Sequence, residues 1–105
     1  MPHITQDANI QTVLTTFETS PASALDLMEA LQAAYAACIS KQPGFISAAL
    51  HMNDAQTRIA NYSQWQKRED YQAMLRTDEM RTRNREINNM CKTFEPVMYD
   101  VQGIF

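Results

Sequence analysis

The hydrophobic period of this chain switches between two and about 3.6 residues, and the order of those switches restricts the fold more than any other feature. The run NIQTVLTTFE at 9–18 is rich in β-branched side chains and alternates loosely, which predicts a strand with both faces partly covered. From Ala22 to Ser40, the residues Leu25, Met28, Leu31, Tyr35, Cys38 and Ile39 recur at helical spacing. Ser20 is the expected N-cap of that helix, with Pro21 at its first position, and Gln42-Pro43-Gly44 ends it. Period two returns over Phe45–Met52 (FISAALHM) and Thr57–Tyr62 (TRIANY), joined by a turn at Asn53-Asp54-Ala55-Gln56. Ser63 stands three residues before Gln66, the spacing of a capping box, and predicts a helix close behind the third strand. Tyr71, Met74 and Leu75 mark the apolar face of that short helix. Thr77, followed by Asp78 and Glu79, starts another, with the stripe Met80, Asn84, Ile87, Cys91 and Phe94. Pro96 is expected to stop it, and Val97–Phe105 to form a last strand.

The resulting order, β-α-β-β-α(α)-β, is the ferredoxin-like arrangement of an α+β domain. After a polar leader at 1–8, residues 9–105 are expected to form a single domain. Helices on one face of four antiparallel strands leave the other face open, and the strands carry apolar residues on both faces. A second copy of the chain is therefore expected to cover it, giving a homodimer.

Composition excludes several function classes. The only glycines among 105 residues are Gly44 and Gly103, so neither a dinucleotide fingerprint nor a phosphate-binding loop can be written. The glycine-flanked serine of a nucleophile elbow is missing as well. Two histidines, His3 and His51, and two cysteines, Cys38 and Cys91, assemble no zinc-finger spacing, CxxC pair or HExxH helix. No metal or built-in cofactor is expected. A net charge of −3 argues against a nucleic-acid partner. No run reaches the roughly 20 apolar residues of a membrane span, and the N-terminus lacks signal-peptide character. Both cysteines fall on apolar sides of helices and read as buried free thiols, so a cytoplasmic location is expected.

The densest cluster of unusual side chains is Asn61-Tyr62-Ser63-Gln64-Trp65, followed by Tyr71. Pro-Gly-Phe at 43–45, N-Y-x-Q-W at 61–65 and an E-x-x-Y-like spacing through Asp70-Tyr71 resemble the antibiotic biosynthesis monooxygenase family. The resemblance covers about residues 9–105. It implies a dimeric α+β barrel of ferredoxin-like subunits that oxidises small electron-rich phenols, anthrones or quinols with dioxygen, without flavin, haem or metal. The deprotonated substrate would reduce dioxygen itself, recombine with it as a hydroperoxide and lose water to leave a quinone.

Asn61 can donate its amide to a developing phenolate or enolate oxygen. Trp65 offers an indole N–H and a flat apolar wall for a planar substrate. Tyr71 carries a phenol that could donate to the substrate oxygen or shuttle a proton. Tyr62 should point away from Asn61. A gapless match to the family pattern assigns Arg85 as the cation beside a substrate phenolate. The helical wheel favours Arg83 instead, because Arg85 lies almost opposite the Met80–Ile87–Cys91 stripe. His51 falls on the second strand with Phe45, Ser47 and Ala49, where it reads as a rim residue or a general base. Two alternatives stay open: a non-catalytic small-molecule-binding or assembly dimer of the same fold, and a haem-degrading enzyme. The latter wants an axial imidazole, and no histidine follows Trp65.

Overall fold

A computed structural model of the chain describes residues 3–6 and 9–105. Of the expected leader at 1–8, residues 1, 2, 7 and 8 lie outside the described residues. The elements run β1 (Gln11–Glu18), α1 (Ala24–Ala37), β2 (Phe45–Met52), β3 (Arg58–Trp65), α2 (Arg68–Leu75), α3 (Asp78–Asn88) and β4 (Thr93–Tyr99). The strands form one antiparallel sheet in the order β2-β3-β1-β4. This is the ferredoxin-like β-α-β-β-α-β topology, with its second helical segment divided into α2 and α3.

Period two decides what each face of the sheet touches. Val13, Thr15 and Phe17 of β1 share a face with Ile59, Asn61, Ser63 and Trp65 of β3. Against that face α1 buries Leu27, Leu31 and Ala34, α2 buries Tyr71 and Met74, and α3 buries Met80 and Ile87. The opposite face carries Leu14, Ala49, Ala60, Tyr62 and Val97, and no helix among the described residues covers it. At one end of this open face Gln64 is buried, accepting from Ser47 Oγ at 2.7 Å and donating to the carbonyl of His3.

Local departures from the sequence reading have physical causes. Ser20 does not cap α1; its carbonyl accepts from the N–H groups of Ser23 and Ala24, so the chain makes a turn before the helix begins. The far end of the helix gives way to a 3-10 turn at Ile39–Lys41. No capping box forms at Ser63, because β3 continues to Trp65 and pairs over that stretch with Gln11–Val13 of β1. Thr77 does cap α3, its Oγ1 accepting from the Met80 N–H at 3.3 Å.

Pro96 lies inside β4 rather than ending a helix, and Phe94 is part of the same strand. Because β4 is an edge strand pairing only with β1, it can hold a residue that lacks an N–H. The strand ends at Tyr99, so the expected run to Phe105 is shorter. A register shift between Phe45 and Ser47 turns Phe45 to the helix-covered face, opposite Trp65, and leaves Ser47, Ala49 and His51 on the open one. At the start of β2, Gly44 takes φ +83°, and the Asp70 carboxylate occupies the space that a Cβ would fill.

Candidate active site

A short polar strip interrupts the apolar helix-covered face. Thr15 lies directly opposite Asn61 across β1 and β3, and Ser63 follows two residues along. All three are buried. Buried polar groups need partners, and aromatic side chains from the helices supply them. Tyr35 on α1 donates its hydroxyl to Asn61 Oδ1 at 2.8 Å, and the Ser63 side chain is also within hydrogen-bonding reach of it. The Tyr71 hydroxyl on α2 lies near the Thr15 side chain, which acts on its ionisation. The Asn61 Nδ2 group has no hydrogen-bond partner among the described residues.

These groups line a small cavity of about 40 Å³, formed by Thr15, Tyr35, Asn61, Tyr71 and Asn84 together with apolar side chains that include Met74 and Met80. Its volume suits one molecule the size of water or dioxygen. No charged side chain lines it. Burial pushes the Tyr35 phenol up to about 12, against the smaller opposing effect of the neighbouring Asn61 and Ser63 side chains. Burial likewise raises Tyr71, with the Thr15 side chain opposing it. Like any phenol at neutral pH both keep their protons, so each has an O–H to donate. Neutral donors in a largely apolar cavity can stabilise a developing negative charge on a ligand oxygen, because low dielectric strengthens every such contact.

Of the four residues singled out in the sequence, the structure brings Asn61 and Tyr71 to the cavity and leaves Trp65 and Arg85 off it. Trp65 is fully buried. Its Nε1–H donates to Ser63 Oγ at 3.2 Å, and its ring packs edge-on against Phe45 and Tyr71. It stands behind the polar strip rather than in front of it. Arg85 is exposed and reaches Thr82 Oγ1, because the inward face of α3 carries Met80, Asn84 and Ile87. Its rival Arg83 borders a surface groove between α1 and α3 and pairs with Glu79 at 2.9 Å. His51 is exposed at the hairpin end of the sheet.

Three lining residues were not assigned a site role from the sequence. Tyr35 is hidden in the apolar stripe of α1, and Asn84 in that of α3. Thr15 becomes visible only once the β1–β3 register is known. Both cysteines are free, and among the described residues no group of three or more His, Cys, Asp or Glu side chains could hold a metal ion. No helix among the described residues is long and apolar enough to cross a membrane.

Fold and cavity together define a ferredoxin-like α+β domain with a small cavity between sheet and helices. The sequence pattern of the antibiotic biosynthesis monooxygenase family matches residues 10–85, and the chain belongs to that family. It is 28% identical over 74 residues to tetracenomycin-F1 monooxygenase of Streptomyces glaucescens, a match covering 70% of this chain and 66%, just under two thirds, of that protein. Its fold superposes on SnoaB, a cofactor-independent oxygenase from Streptomyces nogalater, with a TM-score of 0.74 at 18% identity, over 92% of this chain and 97% of that one. An anthrone oxidase-like protein superposes with a TM-score of 0.84 at 21% identity, over 92% of this chain and 41% of that one.

Proposed function

We propose that this protein is a cofactor-independent monooxygenase that oxidises a fused-ring phenolic substrate of the anthrone or quinol type to a quinone. The observation that carries this reading is that two neutral residues able to donate hydrogen bonds, Asn61 and Tyr71, line one cavity whose walls hold no charged side chain. The names of the S. glaucescens and anthrone oxidase-like relatives point to the same substrate class.

An anthrone loses a proton from its ring CH₂, and the resulting enolate oxygen takes the hydrogen bond from Asn61. The anion passes one electron to dioxygen, and the radical pair joins through a new C–O bond. The peroxide takes up a proton. Loss of the remaining C–H proton then breaks the O–O bond and releases water, leaving a carbonyl where the CH₂ stood. One substrate consumes one dioxygen and yields one quinone and one water. The cavity must widen to admit the reacting edge of the substrate, and Met74 and Met80, unbranched and adaptable, are the walls that can yield. Trp65 acts in this scheme by holding Ser63 and Tyr71 in place.

The same reading has two copies pairing through the open sheet face, where Leu14, Tyr62 and Val97 would be covered. The test is oxygen uptake with dithranol, naphthols and quinols under air. Enzyme-dependent uptake of one dioxygen per quinone formed, unchanged by chelators, supports the proposal. No uptake, with tight binding of the same compounds, would make the protein a binding module instead.

A further inference from the structure

We propose that Tyr35 is a positioning residue whose hydroxyl holds the Asn61 carboxamide in the one orientation that presents its N–H donor to the cavity. The inference rests on the reading that Asn61 donates to the substrate oxygen. A carboxamide can turn about its last side-chain torsion, whose preferences are broad and roughly two-fold, so an unrestrained Asn61 would present either its oxygen or its nitrogen. An oxygen facing a developing enolate repels it.

Tyr35 settles the choice. Its hydroxyl donates to Oδ1 at 2.8 Å, which places Nδ2 on the other side of the planar amide. Nδ2 has no hydrogen-bond partner among the described residues, while the asparagine lines the cavity. The direction of the hydrogen bond follows from the atom it meets: an amide oxygen only accepts, so at Oδ1 the phenol is the donor. Packing alone does not require the hydroxyl. Tyr35 lies on the apolar side of α1 with its ring against Phe45, a contact that a phenylalanine would keep. Its oxygen serves the polar strip.

The experiment compares Tyr35→Phe, Asn61→Ala and the double variant in steady-state turnover of dithranol, with far-UV circular dichroism to verify folding. Tyr35→Phe is expected to lower kcat by roughly three- to tenfold with KM within about twofold, since a misdirected donor fails mainly in the transition state. Asn61→Ala should lose at least as much, and the double variant should be no slower than Asn61→Ala alone, because Tyr35 acts through that amide.

A second measurement is independent of turnover. The phenol of bound 1,8-dihydroxyanthraquinone, followed by its absorbance, should ionise at lower pH than when free in solution, and Tyr35→Phe should reduce that difference. A purely structural role would leave it unmoved. Two results overturn the proposal: Tyr35→Phe at parent turnover beside an impaired Asn61→Ala, or losses that multiply in the double variant. Parent turnover in Asn61→Ala would instead remove the underlying assignment of the donor.

Discussion

Replacing Trp65 by Phe separates two ways in which an indole can serve this site. The ring is fully buried, so the change leaves a void in the space of three heavy atoms. At about 0.8 kcal/mol per buried carbon-sized group, the lost burial comes to roughly 2.4 kcal/mol. The hydrogen bond from Nε1 to Ser63 Oγ, at 3.2 Å, adds about 1 kcal/mol. The edge-on contacts with Phe45 and Tyr71 survive in part, since the new side chain is also aromatic. A total near 3 kcal/mol in a domain of this size lowers Tm by something on the order of 15 °C. Turnover measured well below that midpoint should stay within about threefold of the parent, because the indole N–H does not face the cavity. Thermal unfolding by circular dichroism and dithranol oxidation at 15 °C give the two readouts. A Tm within a few degrees of the parent, combined with a tenfold loss of kcat, would refute the reasoning and return Trp65 to direct contact with substrate.

Alkaline pH should destabilise the fold. Tyr35 ionises near 12 when folded and near 10 when unfolded, so the folded state holds the extra proton across that window. Stability is therefore complete below about pH 10 and falls as pH rises toward 12, by about 2.7 kcal/mol for two pH units. Urea melts across this range should show that slope reduced in Tyr35→Phe, with a remainder from Tyr71. Gly44→Ala should cost on the order of 1–3 kcal/mol, because φ +83° strains any side chain and the new Cβ would lie 2.1 Å from Asp70 Oδ2. Adding Asp70→Ala should recover the steric part but not the backbone part, as read by Tm. Sedimentation at micromolar concentration should give twice the chain mass, and Leu14→Arg on the open face should give the monomer; a monomeric parent would contradict the paired-sheet arrangement.

The order of strands and helices was legible because the hydrophobic period changes cleanly at Pro43-Gly44, at the Asn53–Gln56 turn and at Thr77. Boundaries that depend on pairing were not. Nothing local says that β3 continues through Ser63 to Trp65; that length comes from β1 lying beside it. Pro96 reads as a helix stop until β4 is known to be an edge strand. The bulge that reverses Phe45 is likewise a property of the strand pair. At the site, Asn61 and Tyr71 stood out because they fall in, or just after, the dense 61–65 cluster that matches the family pattern. Tyr35 fits an apolar stripe and gave no such signal. Trp65 stood out in the same cluster, yet its ring packs into the core, and Arg85 came from a family pattern that the phase of α3 does not support.

The central claim is that substrate binds in the cavity between sheet and helices with Asn61 as its donor. Titrating ¹⁵N-labelled protein with 1,8-dihydroxyanthraquinone tests this most directly, read through the side-chain amide of Asn61. One Asn61 Nδ2 proton is expected to shift downfield and saturate with the ligand, together with shifts at Thr15, Tyr71 and Asn84. Shifts confined to Leu14, Tyr62 and Val97, with the Asn61 amide unmoved, would place the ligand on the open face and contradict it.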